Sequence, residues 1–195
     1  EWRNELLETD DIAADIQSMR NDIVHGLYDS FIPPGSLDEM WETHGLRDAL
    51  EHEFGITADI GRWLEEDQTL NEESLRDKVT EHVEQTSRDR EKVITPDLMR
   101  RIERDFMLDV LDRHWKEHLI AMDHLRQGIG LRSFAAKKPE QEYKREAFDM
   151  FEKMLENIKH EVITILAKVQ IRTEQDVEAV ENRSPEQHMS FNHPS

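Results

Sequence analysis

The chain has no cysteine, which removes disulfides, thiolate nucleophiles and cysteine metal sites together and fits a reducing, cytoplasmic compartment. No apolar run approaches the roughly 18 residues that a membrane helix needs, and no charged-then-apolar leader opens the sequence. A chain that neither spans a bilayer nor is exported by itself is the expectation. Glycine is sparse: the seven residues are scattered among turns, and none belongs to a GxxxxGKS or GxxxxGKT phosphate loop. Positive charge is scarce as well, 25 Lys and Arg against 44 Asp and Glu for a net charge of −19. That balance opposes general binding to nucleic acid or anionic lipid, because phosphate contacts need positive surface.

What is present is apolar and charged residues in nearly equal measure, 36% and 35% of 195 residues. The pattern favours elongated helices over a globule, and the expected fold class is all-α. The opening, EWRNELLETDD, has helical spacing but no cap before Trp2, so it reads as the end of a helix that starts upstream. A helix over about Asp11 to Phe31 carries Ile12, Ile16, Met19, Ile23 and Leu27 on one stripe and is stopped by Pro33, Pro34 and Gly35. Ser36 with Glu39, and Thr69 with Glu72, have capping-box spacing ahead of short helices. Residues 12–95 therefore read as a compact helical subdomain anchored by Trp41, Phe54 and Trp63.

Thr95 followed by Pro96 is a strong helix start. Beyond it Leu108, Leu111, Trp115, His118, Met122, Leu125 and Ile129 alternate three and four apart, which predicts a heptad seam with Trp115 in the core. Phe148, Phe151, Leu155, Ile158, Val162, Ile165 and Val169 repeat the alternation, so the two arms can zip as a long antiparallel hairpin. Arms of about 30 residues at ~1.5 Å rise hold the turn some 45 Å from the base. Ile102, Phe106, Val110, Met150, Met154, Ile163 and Leu166 lie off the seam, so the basal part is expected to be covered on a second side. From about Thr173 the stripe ends, and residues 173–195 read as the disordered start of a linker.

The turn inverts the charge of the chain. From Arg126 to Arg145 there are six basic residues, Arg126, Arg132, Lys137, Lys138, Lys144 and Arg145, against Glu140 and Glu142. Ile129, Leu131 and Phe134 stand among them, more apolar surface than a simple reversal needs, which points to an outside partner. Other constellations carry less. His114 and His118 are one helical turn apart, but HWKEH is not HExxH and no third ligand is indicated. A seam histidine satisfied by a neighbouring carboxylate is the ordinary reading of His118. The many Asp and Glu pairs read as solvated helix faces, and no catalytic residue or bound metal is expected.

LDRHWKEHLIAMDHLRQGIGLRSFAAKKPEQEYKREAF resembles the SecA family of bacterial preprotein translocase ATPases, and the likeness extends from about Trp2 to Val180. YDSFIPPGSLDEMW and GRWLEEDQTLNEESLR resemble the helical wing of that family (12–95), and residues 96–172 its helical scaffold with two-helix finger, packed with the smaller wing; residues 1–11 correspond to the end of a truncated scaffold helix. The resemblance implies a part of an ATP-driven motor that moves preproteins across the cytoplasmic membrane through the SecYEG channel. It implies no cofactor on this chain, with ATP and magnesium bound by upstream motor domains. It also implies a cytoplasmic protein peripheral on the inner membrane, with SecY, the preprotein and its own motor domains as partners and a homodimer as one arrangement left open. By position it assigns channel and polypeptide contact to Ile129, Leu131, Arg132, Ser133, Phe134, Lys137 and Lys138, with Phe134 where the family often has tyrosine. The hydroxyl is lost there and the broad apolar ring kept. The rival reading is a free-standing helical adaptor that binds partner helices through the same hairpin.

Overall fold

A computed structural model of the chain describes residues 12–132 and 139–183, and among these residues the structure is all-α, six helices without a strand. They are α1 (Ile12–Phe31), α2 (Thr43–Phe54), α3 (Ile60–Glu66), α4 (Glu72–Glu91), α5 (Pro96–Arg132) and α6 (Pro139–Arg183), with one 3₁₀ turn at Asp38–Met40 between α1 and α2. The two long helices lie antiparallel, and α1, α2 and α4 pack across their basal halves.

Local signals set most boundaries. Helix α5 begins at Pro96, where Thr95 and Pro96 predict it. The caps of the shorter helices differ from expectation. The Ser36 hydroxyl accepts the Trp41 indole N–H at 3.1 Å instead of capping a helix, and Thr69 bonds Asp67. The capping box that starts α4 is Asn71 with Ser74, each accepting the other's backbone N–H at 2.9 Å. Helix α2 ends at Gly55, in the left-handed region at φ 59°, with the Ile56 N–H reaching back toward the Leu50 carbonyl. A side chain at Gly55 would also collide with Ile171 of α6, so backbone conformation and close helix approach both demand glycine there.

The core does not divide at Thr95. One continuous cluster of buried residues runs from Ile12 and Ile16 of α1 through Leu46 and Leu50 of α2 and Leu75, Val79 and Val83 of α4. It continues into Met99, Met107, Val110, Ile158, Val162, Ile163 and Leu166 of the long pair. On α1 the buried side is Ile12, Ile16, Met19, Val24 and Tyr28, so the stripe turns by one residue after Met19, leaving Ile23 and Leu27 at the margin. Tyr28 replaces the tryptophans as the large aromatic anchor. Its ring is fully buried, with its hydroxyl donating to the Glu72 carbonyl at 2.8 Å, and burial pushes its pKa up. Phe54 is buried as expected, whereas Trp41 and Trp63 sit at the edge.

Helix α6 continues to Arg183, past Thr173 where the apolar pattern ends, so residues 173–183 are helical and not disordered. The stripe reports packing, and its loss there marks only the end of cover. Residues 184–195 lie outside the described residues.

Candidate interaction surface on the helical hairpin

The hairpin seam is rotated from the one that the heptads predict. Leu111, Ile158 and Val162 are buried in it as expected, with Met122, Leu125 and Leu155 half-buried. Trp115 is 45% exposed, Phe148 59% and Phe151 39%, so these three are not hairpin core. The inward positions are taken by His114, whose side chain is 14% exposed, and by Met154. The reason is steric and geometric. Two helices alone bury one narrow line of side chains, and methionine, histidine and alanine let the backbones approach more closely than stacked indole and phenyl rings would.

The rotation sorts the hairpin into two faces. Trp115 and Leu119 of α5 share one with Phe148 and Phe151 of α6. The His118 ring sits between, 5.7 Å from the Trp115 ring and 5.9 Å from that of Phe151. His118 is thus held by aromatic neighbours, and the histidine with a carboxylate partner is His114, whose Nε2 lies 2.8 Å from Glu161 Oε2. Beside that aromatic face lies a shallow groove of about 220 Å³ lined by both histidines, His114 and His118, by Met150 and Met154, and by the polar Glu117, Lys153 and Asn157. Arg113 also bonds Glu161, and these hydrogen bonds from Arg113 and His114 hold the Glu161 carboxyl below its usual pKa. With His114 turned to Glu161 and His118 to two rings, the two imidazoles have separate tasks.

Beyond Leu111 on α5, and before Met154 on α6, no residue with a described side chain is buried. The stretch from Asp112 to Arg132 amounts to about 30 Å of two-helix rod without a third element. Of the basic residues near its end, Arg126 pairs with Asp123 at 3.0 Å and Lys144 with Glu140 at 2.8 Å, local i,i+3 and i,i+4 partners that neutralise part of the inverted charge. Ile129 is half-buried. The tip loop expected from Gly128 to Lys138 is helical over its first part, because helix α5 persists through Leu131 and Arg132 and two glycines at about 1 kcal/mol each do not stop it. Ser133, Phe134, Lys137 and Lys138 lie outside the described residues.

The base of the hairpin is joined to the shorter helices by groups that sequence periodicity does not reveal. Arg90 of α4 is 9% exposed and donates to the carbonyls of Phe54 at 2.7 Å and Gly55 at 2.6 Å, and to Glu174 of α6 at 3.2 Å. One guanidinium thus caps α2 and locks α2, α4 and α6 together. A second junction gathers Arg20 of α1, Glu91 of α4, and Arg100 and Glu103 of α5. Arg100 pairs with Glu91, and with Glu103 at 3.1 Å. Glu103 is 1% exposed, and burial raises its pKa against the pull of Arg100 and Arg20, while burial lowers that of Arg20. Along the helix Glu103 stands among Met99, Phe106 and Met107, whereas Arg90 follows the polar Thr86 and Ser87.

Among the described residues the architecture is that of an all-helical scaffold, a long hairpin braced at one end by short helices. A sequence model of the family described as SecA Wing and Scaffold domain matches residues 1–170, and the chain belongs to that family. Among curated relatives, the protein translocase subunit SecA of Nitrosococcus oceani is 52% identical over 181 residues, 93% of this chain and 20% of the relative. The chain spans about a fifth of that relative's length. No helix among the described residues is long and apolar enough to cross a membrane.

Proposed function

We propose that this chain is the wing and scaffold portion of an ATP-driven protein translocase of the Sec pathway, and that its hairpin is the arm through which the motor engages channel and cargo. Residues 12–95 form the wing, and residues 96–172 the scaffold and finger. The turn, with Ile129, Leu131, Arg132, Ser133, Phe134, Lys137 and Lys138, touches the SecY channel and the moving preprotein at the cytoplasmic face of the inner membrane. ATP and magnesium act in other parts of the full-length protein, since no phosphate-loop sequence exists here to hold them.

The observation that carries this reading is the uncovered distal rod, together with family membership. A rod of paired helices is stiff along its axis, so a displacement at its base reaches its far end. Arg90 through Glu174, and Arg100 through Glu91, tie that base to the shorter helices. At the far end an aromatic ring and aliphatic neighbours can press on polypeptides of many sequences through contact that is not sequence-specific. Arg132, Lys137 and Lys138 supply charge for acidic loops of the channel.

The test uses the full-length protein, with charge reversal at Arg132, Lys137 and Lys138 in one variant and Phe134→Gly in another, measuring transport apart from ATP hydrolysis. Both variants are expected to lose transport while retaining ATPase activity. Unimpaired transport by both removes the turn from the mechanism. Photo-cross-linking from position 134 should trap channel, cargo or both.

A further inference from the structure

More than half of the net negative charge of the chain lies in one tract outside the two long helices. From Pro33 to Glu73 there are twelve carboxylates and two guanidinium groups, a net −10 out of −19 for the whole chain. Both guanidinium groups are taken up locally, Arg47 by Asp48 and Arg62 by Glu66. Within this acidic tract, Leu37 and Met40 are 65% and 63% exposed, the two most exposed of the large apolar side chains of the described residues. Asp38, Glu39 and Glu42 stand immediately around them and are exposed as well.

The segment is braced, which a mere connection would not require. The Ser36 N–H bonds the Pro33 carbonyl at 3.0 Å, the Met40 N–H the Leu37 carbonyl at 2.8 Å, and the Glu42 N–H returns to the Phe31 carbonyl at 3.0 Å. Trp41 donates its indole N–H to Ser36. Glu72 of α4 accepts the Gly35 N–H at 2.6 Å; Gly35 itself is in the left-handed region at φ 73°. Leu37 and Met40 are therefore presented on a fixed knuckle, so little conformational entropy is lost when something covers them.

We infer that this knuckle is a docking point for a cationic polypeptide segment of a partner protein, one in which apolar side chains are flanked by lysine or arginine. Charge decides the chemistry. A surface of this sign repels nucleic acid and anionic lipid, draws cationic segments toward it, and leaves the two apolar side chains to supply short-range affinity. Leu37 and Met40 are three residues apart on a 3₁₀ turn and share one side. They suit a pair of apolar side chains one helical turn apart on the partner.

The test uses the full-length protein and three fluorescent peptides: one of lysine and leucine with leucines three and four apart, one with serine replacing each leucine, and one with glutamate replacing each lysine. The lysine and leucine peptide should bind, the other two should bind at least about tenfold more weakly, and exchange protection should rise at residues 36–42. Leu37→Ser with Met40→Ser, and separately Asp38→Asn with Glu39→Gln and Glu42→Gln, should each weaken binding about tenfold. All five positions are exposed, and unchanged circular dichroism melts would show that the fold is intact. Failure of the peptide to bind overturns the inference. So does loss of binding in the charge variant alone, which would mean general attraction to an acidic surface, or protection that rises on the hairpin and not at 36–42.

Discussion

The basal and distal halves of the hairpin are built from the same two helices, with the same alternation of apolar residues, and come to opposite ends. At the base Met107, Val110, Ile158 and Val162 are fully or almost fully buried, because α1, α2 and α4 lie across them. Past Leu111 nothing with a described side chain is buried, and Trp115 and Phe148 face outward. A heptad pattern thus states that a helix has an apolar side. It does not state how much of that side will be covered, because cover depends on a third element. Stability is placed at one end of the rod, and apolar surface that stays available at the other.

Truncation should expose that division most strongly. Ile158→Ala or Met107→Ala is expected to destabilise the chain by about 2–5 kcal/mol, through lost burial and the cavity left behind. Trp115→Ala or Phe148→Ala should cost under about 1 kcal/mol, although each removes a larger side chain. Denaturant unfolding of the four variants checks both arms. Equal losses at base and rod would show that the distal face is core after all.

The joint between the shorter helices and the base comes next in size. Arg90→Met keeps the aliphatic stem but leaves the carbonyls of Phe54 and Gly55, and the Glu174 carboxylate, without their donor. A loss of roughly 2–3 kcal/mol is expected. Hydrogen exchange should quicken in α2 while the distal rod is unaffected. Gly55→Ala acts on the same joint with a smaller effect, about 1–2 kcal/mol, from left-handed strain and from displacing Ile171. If Gly55→Ala is neutral, the close approach of α2 to α6 is softer than the packing implies.

The division of legibility follows the same line. The start at Pro96, the antiparallel pair and its second basal layer could all be read, since each rests on local spacing and capping chemistry. Val110, Ile163 and Leu166, expected off the seam, are buried under that layer. Rotation of the seam by one position could not be read: Trp115 and His114 are adjacent, and the choice between them depends on how closely two backbones approach. Nor could the caps Asn71 and Ser74 be preferred over Thr69 and Glu72, because both pairs have the required spacing. Arg90 and Glu103 were hidden because a charged letter is read as surface unless its partners, distant in sequence, are known. Of the site at the turn, helix through Arg132 is described, and positions 133, 134, 137 and 138 stay with the proposal.

Acid gives the smallest and most local effect and divides the base itself, because Glu161 and Glu103 respond to pH with opposite sign. Hydrogen bonds from Arg113 and His114 lower the pKa of Glu161 in the folded chain from its ordinary 4.5. The unfolded chain then binds more protons as pH falls. The stabilisation from Glu161 is fully present above about pH 4.5 and is lost as pH falls through the lower folded value. Glu103 is raised by burial, so the folded chain holds its proton more tightly, and its contribution weakens as pH rises from 4.5 through the folded value. Glu161→Gln should therefore flatten the loss of thermal stability below pH 4.5, by no more than about 1 kcal/mol because the pair is partly exposed. Glu103→Gln should leave that acid limb in place and instead change the slope above pH 4.5. If melting temperature against pH has the same shape in both variants, the buried junction and the half-exposed pair share one electrostatic environment, and burial does not set the sign of either response.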